Sequence, residues 1–310
     1  MTFPIRRACR VAFAFAAVLA ASTMIVPVHA EKGGITLVQA DLQKRADLLL
    51  KGITEGGGKV KYGAVEKGDS KDGLVIKDIE ATGPDGKTVT IERVEVRDFD
   101  WENASQPMRM DISIKKLVMP AAALEKEVTD LGITSLTINA DFAYALDDAK
   151  KTFEVSGIVI DVVELGELKL KLKLAGIASG DLKSALGGAK PGEDAATKLL
   201  AQLSIVGASI SFKDKSLTQR LIAADAKKKG ISEAEAKKKM LEDLAEQKKT
   251  ATDDATKEVI DLAVKFLGTP GVIELAMNPS APANVMATFM ALMGSPGALK
   301  QMLGLTIAVK

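Results

Sequence analysis

The amino-acid sequence predicts an α+β protein, in which a long, curled antiparallel β-meander packs on helices and is followed by a mostly helical part and a terminal β-strand. One observation is a two-residue period. Between Lys59 and about Leu174, apolar residues recur at alternate positions, as in Ile112/Ile114, Leu136/Ile138/Ala140/Phe142/Tyr144 and Leu168/Leu170/Leu172/Leu174, the spacing that gathers side chains on one face of a strand. Another is helical spacing on both sides of that region, in Val38, Leu42, Ala46, Leu49 and Ile53 and again beyond Ser216. Turn chemistry supplies the third. Gly83-Pro84-Asp85-Gly86 and Asp147-Asp148-Ala149-Lys150 separate apolar runs by only a few residues, which joins antiparallel neighbours.

Taken in order, the first helix is amphipathic and is stopped by Gly56-Gly57-Gly58. The strands follow. In the clearest, Glu167, Lys169, Lys171 and Lys173 alternate with the four leucines, so one face is charged and the other apolar. The phase slips between Val89/Ile91 and Val94/Val96, and between Phe153/Val155 and Ile158/Ile160/Val162, which predicts β-bulges or strong coiling. A short helix is expected at Ala121 to Leu131, ended by Gly132, and a brief one near Ala195 to Leu200 after a Gly/Lys/Pro connection from Gly180 to Gly192. Val206, Ala208, Ile210 and Phe212 make a further strand. Helices are predicted from Leu217 to Lys229, stopped by Gly230; from a Ser232–Glu235 capping box to about Lys249; and from Thr252 to Leu267. A strand at Ile273 to Met277, a helix across Ala283 to Met293, a second helix opened by Pro296, and a strand through Leu305, Ile307 and Val309 complete the order. The expected organisation is residues 1–30 as a signal peptide, 31–180 as a helix plus antiparallel sheet, and 181–310 as a mixed, mostly helical part packed on the same sheet.

The export expectation rests on Arg6, Arg7 and Arg10, an apolar stretch from Val11 to Val26, and Val28-His29-Ala30 as a small-residue cleavage site. That stretch is shorter than the roughly 20 residues of a membrane span. Cleavage after Ala30 places the protein in the periplasm or outside the cell; an uncleaved segment would instead anchor it to the inner membrane. The whole chain carries 42 Lys plus Arg against 41 Asp plus Glu, with one Cys and one His. Cleavage removes three arginines, Cys9 and His29, leaving 39 basic against 41 acidic side chains. A chain without Cys or His has no Ser-His-Asp triad, no Cys-His pair, no thiolate or imidazole metal site and no disulfide. Its balanced, intermixed charge gives no footprint for nucleic acid.

Asp98, Asp100 and Glu102 would share a strand face and resemble a hard-cation site, but an EF-hand loop needs glycine where Asn103 stands and glutamate where Arg109 stands. Ser113-Ile114-Lys115-Lys116 has Ser-x-x-Lys spacing, yet on a strand those two side chains point to opposite faces. Carboxylate pairs for glycoside hydrolysis lack aromatic platforms around them, with one Trp, two Tyr and six Phe after Ala30. Lys227–Lys229, Lys237–Lys239, Lys248 and Lys249 are offset by five acids, the pattern of a solvated helical surface, with contact to anionic lipid head groups as the further use. Met286, Met290 and Met293 form one stripe of a nearly apolar helix with Phe289 beside them; the simple reading is a buried helix, the functional one a malleable surface for acyl chains or a partner.

Gly73-Leu74-Val75-Ile76-Lys77-Asp78-Ile79, then Gly86 to Val96, and Gly157 to Gly176 with its Leu165-Gly166-Glu167-Leu168-Lys169-Leu170, resemble the meandering β-segments of AsmA-like bacterial envelope proteins. The resemblance covers residues 59–176 and carries no functional residue across. It implies a curled sheet with an apolar inner face and a role in phospholipid handling between membranes.

The resulting expectation is a non-enzymatic envelope protein, with no cofactor and no metal, that handles a lipid or other hydrophobic ligand in an apolar groove. Leu136, Ile138, Phe142, Leu168, Leu170 and Leu172 are the groove candidates, with Phe289, Met290 and Met293 as a lid. The alternative is a structural or interaction module for envelope assembly without a ligand cavity. Peripheral membrane contact belongs to the first reading; protein partners are left unassigned by the sequence.

Overall fold

A computed structural model of the chain describes residues 39–104, 106–181, 193–252, 254–294 and 296–310. The expected signal peptide and its cleavage site, and most of the Gly180 to Gly192 connection, lie outside the described residues. The architecture is α+β with antiparallel strand pairing, and the chain divides into two compact units, one ending at Lys116 and one beginning at Leu117.

The first unit opens with α1 (Gln39–Glu55), followed by the short β1 (Lys59–Lys61) and β2 (Ala64–Lys67), then β3 (Leu74–Thr82) and β4 (Thr88–Phe99). Both short strands pair with β3, which pairs with β4 on its other edge. β5 (Arg109–Pro120) comes next in the hydrogen-bonded order and runs through the division between units. The 83–86 turn forms as expected: Gly86 N–H donates to Gly83 O at 3.0 Å, and Gly86 takes a φ of 78°, a conformation that costs glycine little.

This unit has a closed core. Leu42, Ala46 and Leu50, one helical turn apart on α1, are buried against β1, β2 and β3, while Leu49 and Ile53 are half-buried. Leu74, Ile76 and Val96 are 0% exposed, and Ile79 nearly so. Arg45 fastens the helix to the end of β4. Its guanidinium lies 4.7 Å from the Trp101 ring and pairs with Asp41 and Asp72 at 3.4 and 4.0 Å, while Trp101 Nε1 donates to Asp72 O and its ring packs on Phe99.

The phase slip in β4 is not a register shift. Ile79 faces Ile91 and Ile76 faces Val94 in one continuous register, while Asp78 in β3 and Lys116 in β5 take φ values of 53° and 50°. Both halves of the stripe are buried, Ile79 and Ile91 on one side of Asp78 and Ile76 and Val94 on the other, and Lys116 Nζ is held on Glu92 Oε2.

In the second unit a 3-10 turn at Ala121–Ala123 and the short α2 (Lys126–Thr129) replace the single helix expected from Ala121 to Leu131. Leu124 and Glu125 are extended, with ψ near 150°, and break the helix in two. β6 (Ser135–Asp147), β7 (Thr152–Val162), β8 (Gly166–Ala175), β9 (Ser204–Asp214), β10 (Val272–Met277) and β12 (Leu305–Val309) are hydrogen-bonded neighbours in that order, and β11 (Ala283–Asn284) pairs with β9. The β7 slip is a true bulge. Val155 faces Leu172 and Ile158 faces Leu170, so the register shifts between them.

Beyond α2, the described helices of this unit are α3 (Glu193–Gln202), α4 (Leu217–Lys229), α5 (Glu233–Thr250), α6 (Asp254–Gly268), α7 (Val285–Gly294) and α8 (Pro296–Leu303). Gly230 ends α4 with a φ of 64°, and Ser232 and Glu235 form the expected capping box on α5. Ser232's backbone and hydroxyl hydrogen bonds hold the Glu235 carboxyl below the usual carboxylate range. Ile222, Ala226 and Ala236 bury together with Ile231 and Met240 to join α4 to α5, and α6 packs on both α5 and β12. Among the described residues, no helix is long and apolar enough to cross a membrane.

Because Ile76 sits in a fully closed site, Ile76→Ala is expected to cost about 2–5 kcal/mol of stability, read as a shift in the denaturant midpoint followed by circular dichroism.

Candidate functional site

The β8 sequence positions a broad apolar face. Leu168, Leu170, Leu172 and Leu174 point to one side, and Lys169, Lys171 and Lys173 to the other, where Lys169 pairs with Glu167 at 2.8 Å and Lys173 with Glu154 at 2.9 Å. Cross-strand partners share a face. The central row is therefore Phe142, Ile158, Leu170, Ile210, Leu275 and Ile307, one residue from each of six strands. On one side lies the row Ala140, Ile160, Leu168, Phe212, Ile273 and Val309; on the other, Tyr144, Val155, Leu172, Ala208, Met277 and Leu305.

Covering is uneven. Every residue of the central row is only half-buried. On β6, Leu136, Ile138 and Ala140 are buried, whereas Phe142 and Tyr144 are half-buried, so the face opens toward the far end of that strand. α6 covers part of the neighbouring row: its Phe266 ring stands 6.4 Å from Phe212, and Lys265 Nζ donates to Val309 O at 2.8 Å. Gly166 allows Phe212 to lie close, since a Cβ there would meet the ring at 2.7 Å.

Of the predicted groove residues, Ile138, Phe142, Leu168, Leu170 and Leu172 occupy one face with β7 between the two strands, and Leu136 continues it into the buried end. Phe289 and Met290 lie elsewhere, on α7, which packs on α3, α8 and β11; they are 59% and 66% exposed. The side chain of Met293 lies outside the described residues. The expected buried helix is thus open on at least one side.

The acidic trio does not share a face. β4 ends at Phe99, and Asp100 turns inward to cap the 3-10 turn Trp101–Asn103, accepting from Asn103 N, Asn103 Nδ2 and Met108 N. Asp98 pairs with Arg109 at 3.0 Å and Glu102 is exposed. Among the described residues, no group of three or more His, Cys, Asp or Glu is placed to hold a metal ion. Ser113 is buried while Lys116 is exposed, as the opposed strand faces require. Lysines of the basic helices are largely engaged, Lys229 with Asp225, Lys238 with Glu242, Lys248 with Asp261, Lys249 with Glu246, and Lys237 with Gly268 O.

An open depression of about 480 Å³ in the first unit was not foreseen. It is a different place from the apolar face and has a mixed lining, with Lys44, Asp47, Lys51, Thr54 and Tyr62 beside Leu48, Leu50 and Val60. Gln43 and Asp47 stand one turn apart on α1, and both reach Tyr62: Gln43 Nε2 donates to its oxygen at 2.7 Å, and its hydroxyl donates to Asp47 Oδ1 at 2.5 Å. The i, i+4 pair was readable in the sequence; its tyrosine partner from β1's far side was not.

A family model described as "Uncharacterized protein" matches residues 159–310. No curated protein matches the chain. The matched segment starts within β7 and takes in β8 to β12 and α3 to α8, and so includes Leu168, Leu170, Leu172, Phe289 and Met290 but not the β6 residues.

Partial burial, followed by the hydrogen bond and charge of Asp47, raises the Tyr62 phenol above its ordinary value of 10.0. The unfolded chain then loses this proton first, so the contribution to stability is intact below pH 10 and declines as pH rises through the folded-state value. Tyr62→Phe should remove this decline and the late-ionising component of the phenolate absorbance titration.

Proposed function

We propose that this protein is a non-enzymatic, exported envelope protein whose second unit holds an apolar chain, such as a lipid acyl group, against the β6–β12 face. The observation that carries the reading is the contrast in covering. In the first unit Leu74, Ile76, Val94 and Val96 are buried across β3 and β4, whereas the row through Phe142, Leu170 and Leu275 stays half-buried along its whole length. A contiguous, partly open apolar face is costly to leave to water and marks a binding surface. Each methylene of a bound chain would contribute about 0.8 kcal/mol. Aliphatic rows with little directional polarity fit a ligand recognised by shape and apolarity more than by hydrogen bonds. In this reading the meander curls so that the leucine face of β8 lines the site, with α6 as its partial cover. The resemblance of residues 59–176 to AsmA-like proteins points the same way, and the N-terminal segment supports a location in the periplasm or outside the cell.

The test is titration of the chain with a fluorescent fatty-acid probe in vesicle-free solution. Saturable binding is expected, and Leu170→Asp should weaken it at least tenfold while the far-ultraviolet spectrum is retained. Absence of saturable binding would sink the reading. Loss of folding in Leu170→Asp would instead mark the face as core and favour an assembly module without a ligand.

A further inference from the structure

We infer that α7 is the element through which this protein meets a lipid bilayer, with Phe289 and Met290 entering the acyl boundary. The inference deepens the lipid-handling reading and rests on it for the cargo, though not for the contact itself.

Three features converge on α7. Phe289 and Met290 are the two most exposed large apolar side chains among the described residues, and Leu200 on α3, the helix that packs against α7, is 43% exposed. From Leu275 to Leu299 the sequence contains no Asp, Glu, Lys or Arg, in a chain that is 27% charged. The exposed residues of α7, Ala287, Phe289 and Met290, carry no charge and match the acyl boundary of a bilayer, where any charged side chain would have to be desolvated. Most protein surfaces for aqueous partners carry charge at their rim. The third feature is the state of the polar groups. Asn284 and Thr288 are the polar side chains between Ala283 and Ala291, and both are spent on backbone: Asn284 Nδ2 donates to Ala201 O, its Oδ1 accepts from Ala287 N, and Thr288 Oγ1 donates to Asn284 O. Immersion of this turn of helix therefore strands no side-chain donor or acceptor.

Position adds a reason. β11 leads directly into α7 and pairs with β9 at Ser204 and Ile205, and Val285 N donates to Leu203 O. Ile205 faces Leu174, next along β8 from Leu172. The helix thus springs from the strand end at which the apolar rows finish.

Residues 1–30 carry an apolar stretch of their own, so binding of the whole chain to vesicles decides nothing and the readout must be local. In a Cys9→Ser background, a polarity-sensitive fluorophore is attached at Met290→Cys, or at Lys228→Cys on α4 as the control. Vesicles of phosphatidylethanolamine and phosphatidylglycerol with brominated acyl chains are added. A blue shift and bromine quenching are expected at position 290 and not at 228, and Phe289→Asp should lower the fraction of probe that is quenched roughly tenfold. A probe at 290 that stays in water with vesicles present would overturn the inference. So would a blue shift that appears without vesicles and grows with protein concentration, which would assign the patch to a second copy of the chain. Fatty-acid binding in vesicle-free solution that Leu170→Asp abolishes reports on the β6–β12 face; its absence with quenching at 290 intact fails the ligand reading and spares the contact, and the reverse fails only the contact.

Discussion

The second unit depends on the register of β8. With a two-residue period, the strand shows leucine to one side and lysine to the other, and its pairing with β7 and β9 aligns those leucines with Ile158, Ile160, Ile210 and Phe212. A slip of one residue would carry Lys169, Lys171 and Lys173 to the apolar side. Three local devices hold the alignment. The bulge in β7 resets the phase at Val155/Ile158, Gly166 admits the Phe212 ring, and the ion pairs of Lys169 and Lys173 secure the polar side. Phe266 and Lys265 of α6 then find their places on a surface that is already defined.

The two units solve the same problem differently. Alternating strands leave one greasy face, and something must cover it. In the first unit α1 does so, placing Leu42, Ala46 and Leu50 over the short strands while Arg45 fixes the helix to Trp101. In the second, the helices make much of their packing with one another: α4 on α5, α5 on α6, α7 on α3 and α8. Their apolar residues are consumed in helix–helix contacts such as Ile222, Ala226 and Ala236, which leaves the central sheet row partly open.

What could be read from the sequence was local. The Gly230 stop, the Ser232–Glu235 box, the Gly83 to Gly86 turn and the leucine alternation of β8 each depend on residues within a few positions of one another, so the structure reproduces them closely. The phase slip in β7 was legible as a bulge because an inserted residue leaves a mark on the alternation itself. The slip in β4 leaves the same mark by another route, the left-handed Asp78 and Lys116 of its neighbours, and sequence does not separate the two. Long-range choices were hidden. Asp98, Asp100 and Glu102 looked like one face until Asp100 was needed to satisfy Asn103 and Met108. Ala283 and Asn284 looked helical, but Ile205 and Ser204 recruit them as a strand. For the candidate face, the membership of each strand was legible; which rows stay open was not, because covering is decided by helices distant in sequence.

β12 completes the sheet by pairing with β10, with Val272 and Lys310 exchanging backbone hydrogen bonds at 3.0 and 2.8 Å. During synthesis β10 emerges before the strand that pairs with its outer edge, and the interval between them holds β11, the uncharged α7, and α8 with its Lys300. A nascent chain at that stage presents an unpaired strand edge beside an apolar helix without a single charge to repel a neighbouring chain. Folding of this protein is thus most exposed to wrong partners in the interval between the synthesis of β10 and the pairing of Leu305 to Val309.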